Sequence, residues 1–253
     1  MELLGRILLP AVISGVIAGA FFTGLQYIEV IPLIYEAETY ETAEAAGRSL
    51  SDTHGADSQD AHDGEAWAPD DGLARAGMTL LANIVAAIGF GLLLSVSFVL
   101  LSARGRTVVG RAGLLWGLAG FGIFNLAPAF GLPPELPGSE AAALEGRQGW
   151  WILTVVLTAL GLGLIAFARP VYVRVLGVIP LVVPHVIGAP APAHHGGLAP
   201  EEMAERYIYA SLVTSAAFWL ALGALTAFVH DRFGNSRRRR ISPALSPQSE
   251  RKE

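Results

Sequence analysis

The sequence predicts an all-α membrane protein: a bundle of about six transmembrane helices, five being the alternative, with a long acidic, histidine-containing outer loop. Three observations predict it. Several apolar runs each approach the ~20 residues that a helix needs to cross the hydrocarbon core. The composition is 53% hydrophobic and 15% charged, with mean hydropathy +0.49, outside the usual soluble range. The charges that do occur are sorted by sign along the chain, basic turns alternating with acidic loops.

The first span covers residues 7–30, with Arg6 the one basic residue before it. Its apolar run exceeds the core of a signal peptide, and the triplet Ala18-Gly19-Ala20 lies mid-run, so an uncleaved anchor is expected. Gly15 and Gly19 form a small-xxx-small pair that lets another helix approach closely. Gln26 and Glu29 stand one turn apart near the far end. The loop over 35–76 then carries eleven Asp and Glu against Arg48 and Arg75. It reads either as a divalent-cation ligand set or as a solvated acidic linker.

The second span, 78–101, contains Asn83 and leads into a turn bearing Arg104, Arg106 and Arg111. The third, 114–130, contains Asn125 and Pro128, and a Pro- and Gly-punctuated loop with Glu135, Glu140 and Glu145 follows. Trp150 and Trp151 open the fourth span, 150–168, as an interfacial anchor. Arg169 and Arg174 flank the turn into the fifth run, 175–187, which holds Pro180, Pro184 and His185 and is the weakest, a re-entrant segment being the alternative. His194, His195, Glu201, Glu202 and Glu205 precede the last span, 207–229. Residues 1–230 thus form the integral membrane domain, and 231–253 a basic cytoplasmic tail expected to be disordered.

Charge sets the orientation. Six spans with both termini cytoplasmic put thirteen of the seventeen Lys and Arg inside and leave Arg48, Arg75, Arg147 and Arg206 outside. Five spans strand either the N-terminus or the tail arginines on the wrong side.

Enzymatic chemistry has little support. The chain has no Cys, and its one lysine, Lys252, sits in the tail, which excludes thiolate chemistry, a P-loop and a Schiff-base lysine. It contains neither a G-x-S-x-G elbow nor an H-E-x-x-H pair. No enzyme activity and no nucleic-acid partner are expected.

A metal reading has more. His54, Asp57, Asp60, His62, Asp63 and Glu65 are spaced closely enough for one loop to fold several around an ion, with His185, His194 and His195 as further candidates. Within the spans, Gln26, Glu29, Asn83 and Asn125 are candidate groups along a transport path. Interhelical hydrogen bonding accounts for the two asparagines equally well, and a structural role equally well for His185. These ligands do not select one divalent metal over another.

Several stretches resemble the CbtA family of predicted cobalt transporter subunits: EAETYE (36–41), EAWAPDDGLARA (65–76), GLLWGLAGFGIFNLAPAFGLPPELPG (113–138), RQGWW (147–151), PHVIGAP (184–190) and HGG (195–197). The resemblance covers nearly the whole chain, and the 113–138 stretch is its most specific part. It implies a multi-pass protein of the bacterial inner membrane that takes up cobalt for cobalamin synthesis. It also implies a small CbtB-like partner with one span and a histidine-rich end. The family is often described with five spans. A non-transporting accessory or metal-sensing subunit is the alternative function, and a second copy of the chain remains open as a further partner.

Overall fold

The computed structural model describes residues 2–51, 72–106, 108, 110–192 and 196–241. Among these the chain is helical: α1 (Glu2–Glu29), α2 (Ile31–Ser51), α3 (Leu73–Ala103), α4 (Arg111–Phe121), a π-turn (Gly122–Leu126), α5 (Ala127–Ala129), α6 (Leu144–Phe167), α7 (Val171–Leu176), α8 (Val178–Ile187) and α9 (Glu201–Ile241). An isolated bridge between Ser139 and Gly197 is the one extended pairing among the described residues.

Five helical stretches are long and apolar enough to cross a membrane: Leu4–Glu29, Leu73–Ala103, Arg111–Ala129, Leu144–Phe167 and Glu201–Phe233. Their outer faces are apolar: Val85, Leu115, Ile152 and Val213 are 60%, 67%, 56% and 66% exposed. Meanwhile Ser14, Ser95, Thr154 and Thr226 are fully buried. Apolar side chains outside and hydroxyls inside reverse the soluble pattern and suit a surface in contact with lipid.

The sixth apolar run is the shorter stretch Val171–Ile187, divided at Gly177 into α7 and α8. Pro180 and Pro184 remove two backbone donors from it. It lies antiparallel along α6. Arg174 Nε donates to Ala168 O (2.8 Å) at one end, Gly161 and Gly177 abut in the middle, and Trp150 Nε1 donates to Pro184 O (3.1 Å) at the other.

Helices α1, α3, α4 and α9 form the centre, with Ala18, Ala87, Phe98, Phe121, Trp219 and Leu222 in one buried cluster. Close approach needs glycine. A Cβ on Gly15 would sit 2.6 Å from Ile88 Cγ1 on α3, and one on Gly117 would collide with the carbonyl oxygen of Trp219 on α9. The Gly15/Gly19 pair is therefore a packing seam, with α3 as the approaching helix.

Two expectations need correction. The stretch 35–51 is helix, not loop: Pro32 ends α1 and sits in the first turn of α2, and the Glu- and Ala-rich residues after it are good helix formers. The tail is helical as far as Ile241, because α9 is already nucleated in the membrane and its arginine run propagates it at little cost. At 41 residues α9 is about 60 Å long, twice the ~30 Å hydrocarbon thickness, so it protrudes.

Candidate functional site

The bundle has two chemically opposite ends. At one, the α3–α4 and α6–α7 turns bring Arg104, Arg106, Arg169 and Arg174 around one cleft. At the other stand the glutamates of α2, of the 131–143 loop and of the start of α9. Helix α2 reaches across this acidic end, burying Leu33 and Ala37 against Leu136 and Met203. Its Glu38 pairs with Arg75 of α3 through two contacts, one of 3.2 Å, and Arg75 lies over the Tyr35 ring at 5.0 Å. Glu41 lies beside Gly138. Across the loop, Arg147 Nη2 donates to Glu135 Oε2 at 2.6 Å.

A cleft of about 620 Å³ opens between the 131–143 loop, residues 189–192 and 196–199, and the first turn of α9. Glu135, Glu140 and Glu201 line it, with Arg147 as the one arginine or lysine among the described residues there. Glu140 N donates to Gly196 O (3.1 Å) and Leu198 N to Gly138 O (3.3 Å), so the 196–198 segment is stitched to this loop. No group of three or more His, Asp and Glu that could hold a metal ion occurs among the described residues. The described residues give the cleft an acidic lining and no group of three such ligands.

His54, Asp57, Asp60, His62, Asp63 and Glu65 lie outside the described residues, as do His194 and His195. His185 is described. It is exposed near the end of α8, edge-on to Phe130 and Trp150 with ring centroids 5.9 Å away in each case.

The four polar residues of the spans fall into different settings. Asn83 Nδ2 donates to Gln26 Oε1 (2.6 Å) and to Thr23 Oγ1 (3.0 Å), tying α3 to the C-terminal half of α1. Asn125 Oδ1 accepts from Trp219 Nε1 (2.7 Å), tying the π-turn to α9. Both asparagines and Gln26 thus make the interhelical bonds weighed against a transport role. Glu29 is exposed at the last turn of α1.

Asn125 owes its position to a local irregularity. Pro128 cannot donate to the carbonyl one turn back, and the helix widens before it: Ala127 N–H donates to Gly122 O, five residues away. The widened turn stacks Phe124 on Trp219, with centroids 5.4 Å apart and planes 9° apart. Phe90 packs on both, 4.9 Å from Phe124 and 4.7 Å from Trp219. These three rings, with Phe22 against Phe218, fill the middle of the bundle.

Sequence reasoning missed Thr23 and the Ser14–Thr226 pair, whose hydroxyl oxygens lie 2.8 Å apart between α1 and α9. Ser14 and Thr226 are also within reach of the carbonyls of Pro10 and Leu222, four residues back on their own helices. Hydroxyls of this kind satisfy themselves within any helix, so nothing in the sequence marks which of them face another helix.

One family match covers nearly all of the described bundle. The sequence model of the family described as "Probable cobalt transporter subunit (CbtA)" matches residues 4–231. No curated protein and no solved structure matches the chain.

Proposed function

The chain belongs to the CbtA family of probable cobalt transporter subunits, and from that premise we propose that cobalt passes through it from the acidic end to the arginine end, supplying cobalamin synthesis. One observation carries the direction: glutamates gather at one end of the bundle and arginines at the other. By the positive-inside rule the arginine end is cytoplasmic and the acidic end faces outward, in the bacterial inner membrane. The antiparallel course of Val171–Ile187 along α6 supports a sixth crossing, with both termini cytoplasmic.

The step then divides into capture and passage. Glutamates of α2 and of the cleft raise the local concentration of cations, a long-range effect that needs no chelate. Specific capture falls to His54, His62, His194 and His195, with Asp57, Asp60, Asp63 and Glu65 as oxygen ligands and His185 as a further imidazole; other divalent metals would use the same set. Passage runs past Glu29, Gln26 and Asn83, with Asn125 deeper. An inside-negative potential favours inward movement of a doubly charged ion by about 4.6 kcal/mol per 100 mV, twice the single-charge value. The word "subunit" in the family description points to a companion protein, and a CbtB-like single-span, histidine-rich chain would deliver its imidazoles to the acidic end.

A second reading, an accessory subunit that binds metal without conducting it, has a specific observation behind it. Asn83, Gln26 and Asn125 spend their side chains on interhelical bonds, and Phe90, Phe124 and Trp219 close the middle of the bundle.

Capture is tested by replacing His54, His62, His194 and His195 together with Ala and measuring cobalt uptake against concentration. Uptake should weaken at low cobalt with the maximal rate nearly intact. In the parent protein the low-concentration uptake should fall as pH drops through about 6.5, where imidazole ligands protonate. An unchanged curve in the quadruple variant would make these segments solvated linkers.

A further inference from the structure

At the arginine end, a cleft of about 750 Å³ opens between the α3–α4 turn and the α6–α7 turn, and cobalt chemistry gives it no role. Four guanidinium groups line it: Arg104 and Arg106 from the first turn, Arg169 from the second and Arg174 from α7 just beyond it. Among the described residues no carboxylate lines it, and the sequence has no Asp or Glu between Asp71 and Glu135 or between Glu145 and Glu201. Both turns are therefore far along the chain from any acidic residue.

The backbone holds the first pair in place. Helix α3 closes with Arg106 N–H donating to Leu101 O (3.0 Å) and Gly105 N–H to Ser102 O (3.1 Å), while Gly105 takes φ 77°. This double closure needs glycine at the left-handed position and fixes Arg104 and Arg106 on either side of it. The second pair is held by Arg174, whose Nε–H donates to Ala168 O, so that its remaining N–H groups are left to point elsewhere. Arg106 joins the two turns, its guanidinium 5.7 Å from the centre of the Phe167 ring at the end of α6.

Two helix C-termini, those of α3 and α6, end at the cleft. Each carries the equivalent of roughly half a negative charge, about one unit together, against four full positive charges. The cleft therefore stays strongly positive. Its walls are of the other kind: Trp116 and Phe167 form an aromatic face that continues onto lipid-exposed α3 and α6. A cationic rim over an apolar wall, open at the membrane boundary, matches an amphiphile with an anionic head. The positive-inside rule accounts for arginines on this side. It does not account for four from two separate turns meeting at one aromatic-walled cleft.

We propose that this cleft binds the phosphate of an anionic phospholipid of the cytoplasmic leaflet, Arg104, Arg106, Arg169 and Arg174 holding the headgroup while the acyl chains lie along α3 and α6. Arginine forks suit phosphate oxygens, and basic clefts between transmembrane helices are suited to such headgroups. The proposal rests on the membrane placement of the chain and is independent of the cobalt reading.

The test uses the purified full-length chain in neutral detergent, titrated with phosphatidylglycerol, with phosphatidylcholine or with inorganic phosphate. Thermal stability and retained lipid in native mass spectrometry are the readouts. Phosphatidylglycerol should raise the melting temperature and stay bound, and the other two should do neither. Replacing all four arginines by Gln should abolish the shift, whereas Arg111→Gln, on the same side but outside the cleft, should keep it. Should the quadruple variant fail to fold, Arg106→Gln/Arg174→Gln should bind phosphatidylglycerol roughly thirtyfold more weakly. An unaltered phosphatidylglycerol curve in the quadruple variant, or in the double variant where that is the one tested, overturns the proposal. So does a full shift with inorganic phosphate alone, which would make this a free-anion site.

Discussion

Asn83 and Glu29 lie within two helical turns of each other in depth, yet they face different tasks. Asn83 is occupied by Gln26 and Thr23, so its replacement by Ala removes two interhelical hydrogen bonds. Such bonds average about 0.6 kcal/mol each in a membrane, so the expected loss is about 1 kcal/mol of stability and some abundance. Cobalt uptake per molecule should barely change. Glu29 is exposed at the end of α1 and supplies a charge, so Glu29→Ala should lower uptake per molecule more than it lowers abundance. Quantifying membrane-inserted protein beside labelled uptake separates the two effects. Equal uptake per molecule in both variants would leave Glu29 as a helix-end residue only.

At the scale of elements, the seam between α4 and α9 depends on the absence of side chains. A Cβ on Gly117 has no room against the backbone of α9 at Trp219, whereas one on Gly89 of α3 would meet nothing within 4 Å. Gly117→Ala should cost about 1–3 kcal/mol by overpacking. Gly89→Ala should be neutral or stabilise by up to about 1 kcal/mol through helix propensity. Melting temperatures of the two purified variants check this, and similar values for both would contradict the packing described here.

The same seam shows what the sequence could reveal. Apolar runs of bilayer length made five long helices legible, because membrane thickness dictates run length. The expected starts fell three to six residues after Leu4, Leu73, Arg111, Leu144 and Glu201, where the helices begin in more polar residues. Polarity was a poorer guide to helix ends. Glu36, Glu38 and Glu41 suggested a loop, but α2 needs only Leu33 and Ala37, one turn apart, to dock on Leu136 and Met203. Alanine leaves almost no periodic signal. Asn83 and Asn125 stood out as polar groups in apolar runs, but their partners did not, since Thr23 and Trp219 are unremarkable residues for a membrane helix. The π-turn before Pro128 is likewise invisible without the backbone. His185 was legible as a residue near the end of its run, but its neighbours, Phe130 and Trp150, come from distant parts of the chain.

For the whole molecule, the separation of glutamate and arginine ends predicts an orientation. A reporter fused after Arg106 or after Phe233 should be active only on the cytoplasmic side, and one at Ser58 only outside. An outside signal from the Phe233 fusion would mean that Val171–Ile187 folds back without crossing. The central claim concerns passage, and the most direct measurement is radiolabelled cobalt entering proteoliposomes that contain this chain alone, with the potential set by a potassium gradient. Uptake above that of empty liposomes, rising as the interior is made more negative, is the predicted result. Cobalt entering no faster than into empty liposomes at any potential would contradict it and leave the chain as the accessory subunit of a transporter whose conducting path lies elsewhere.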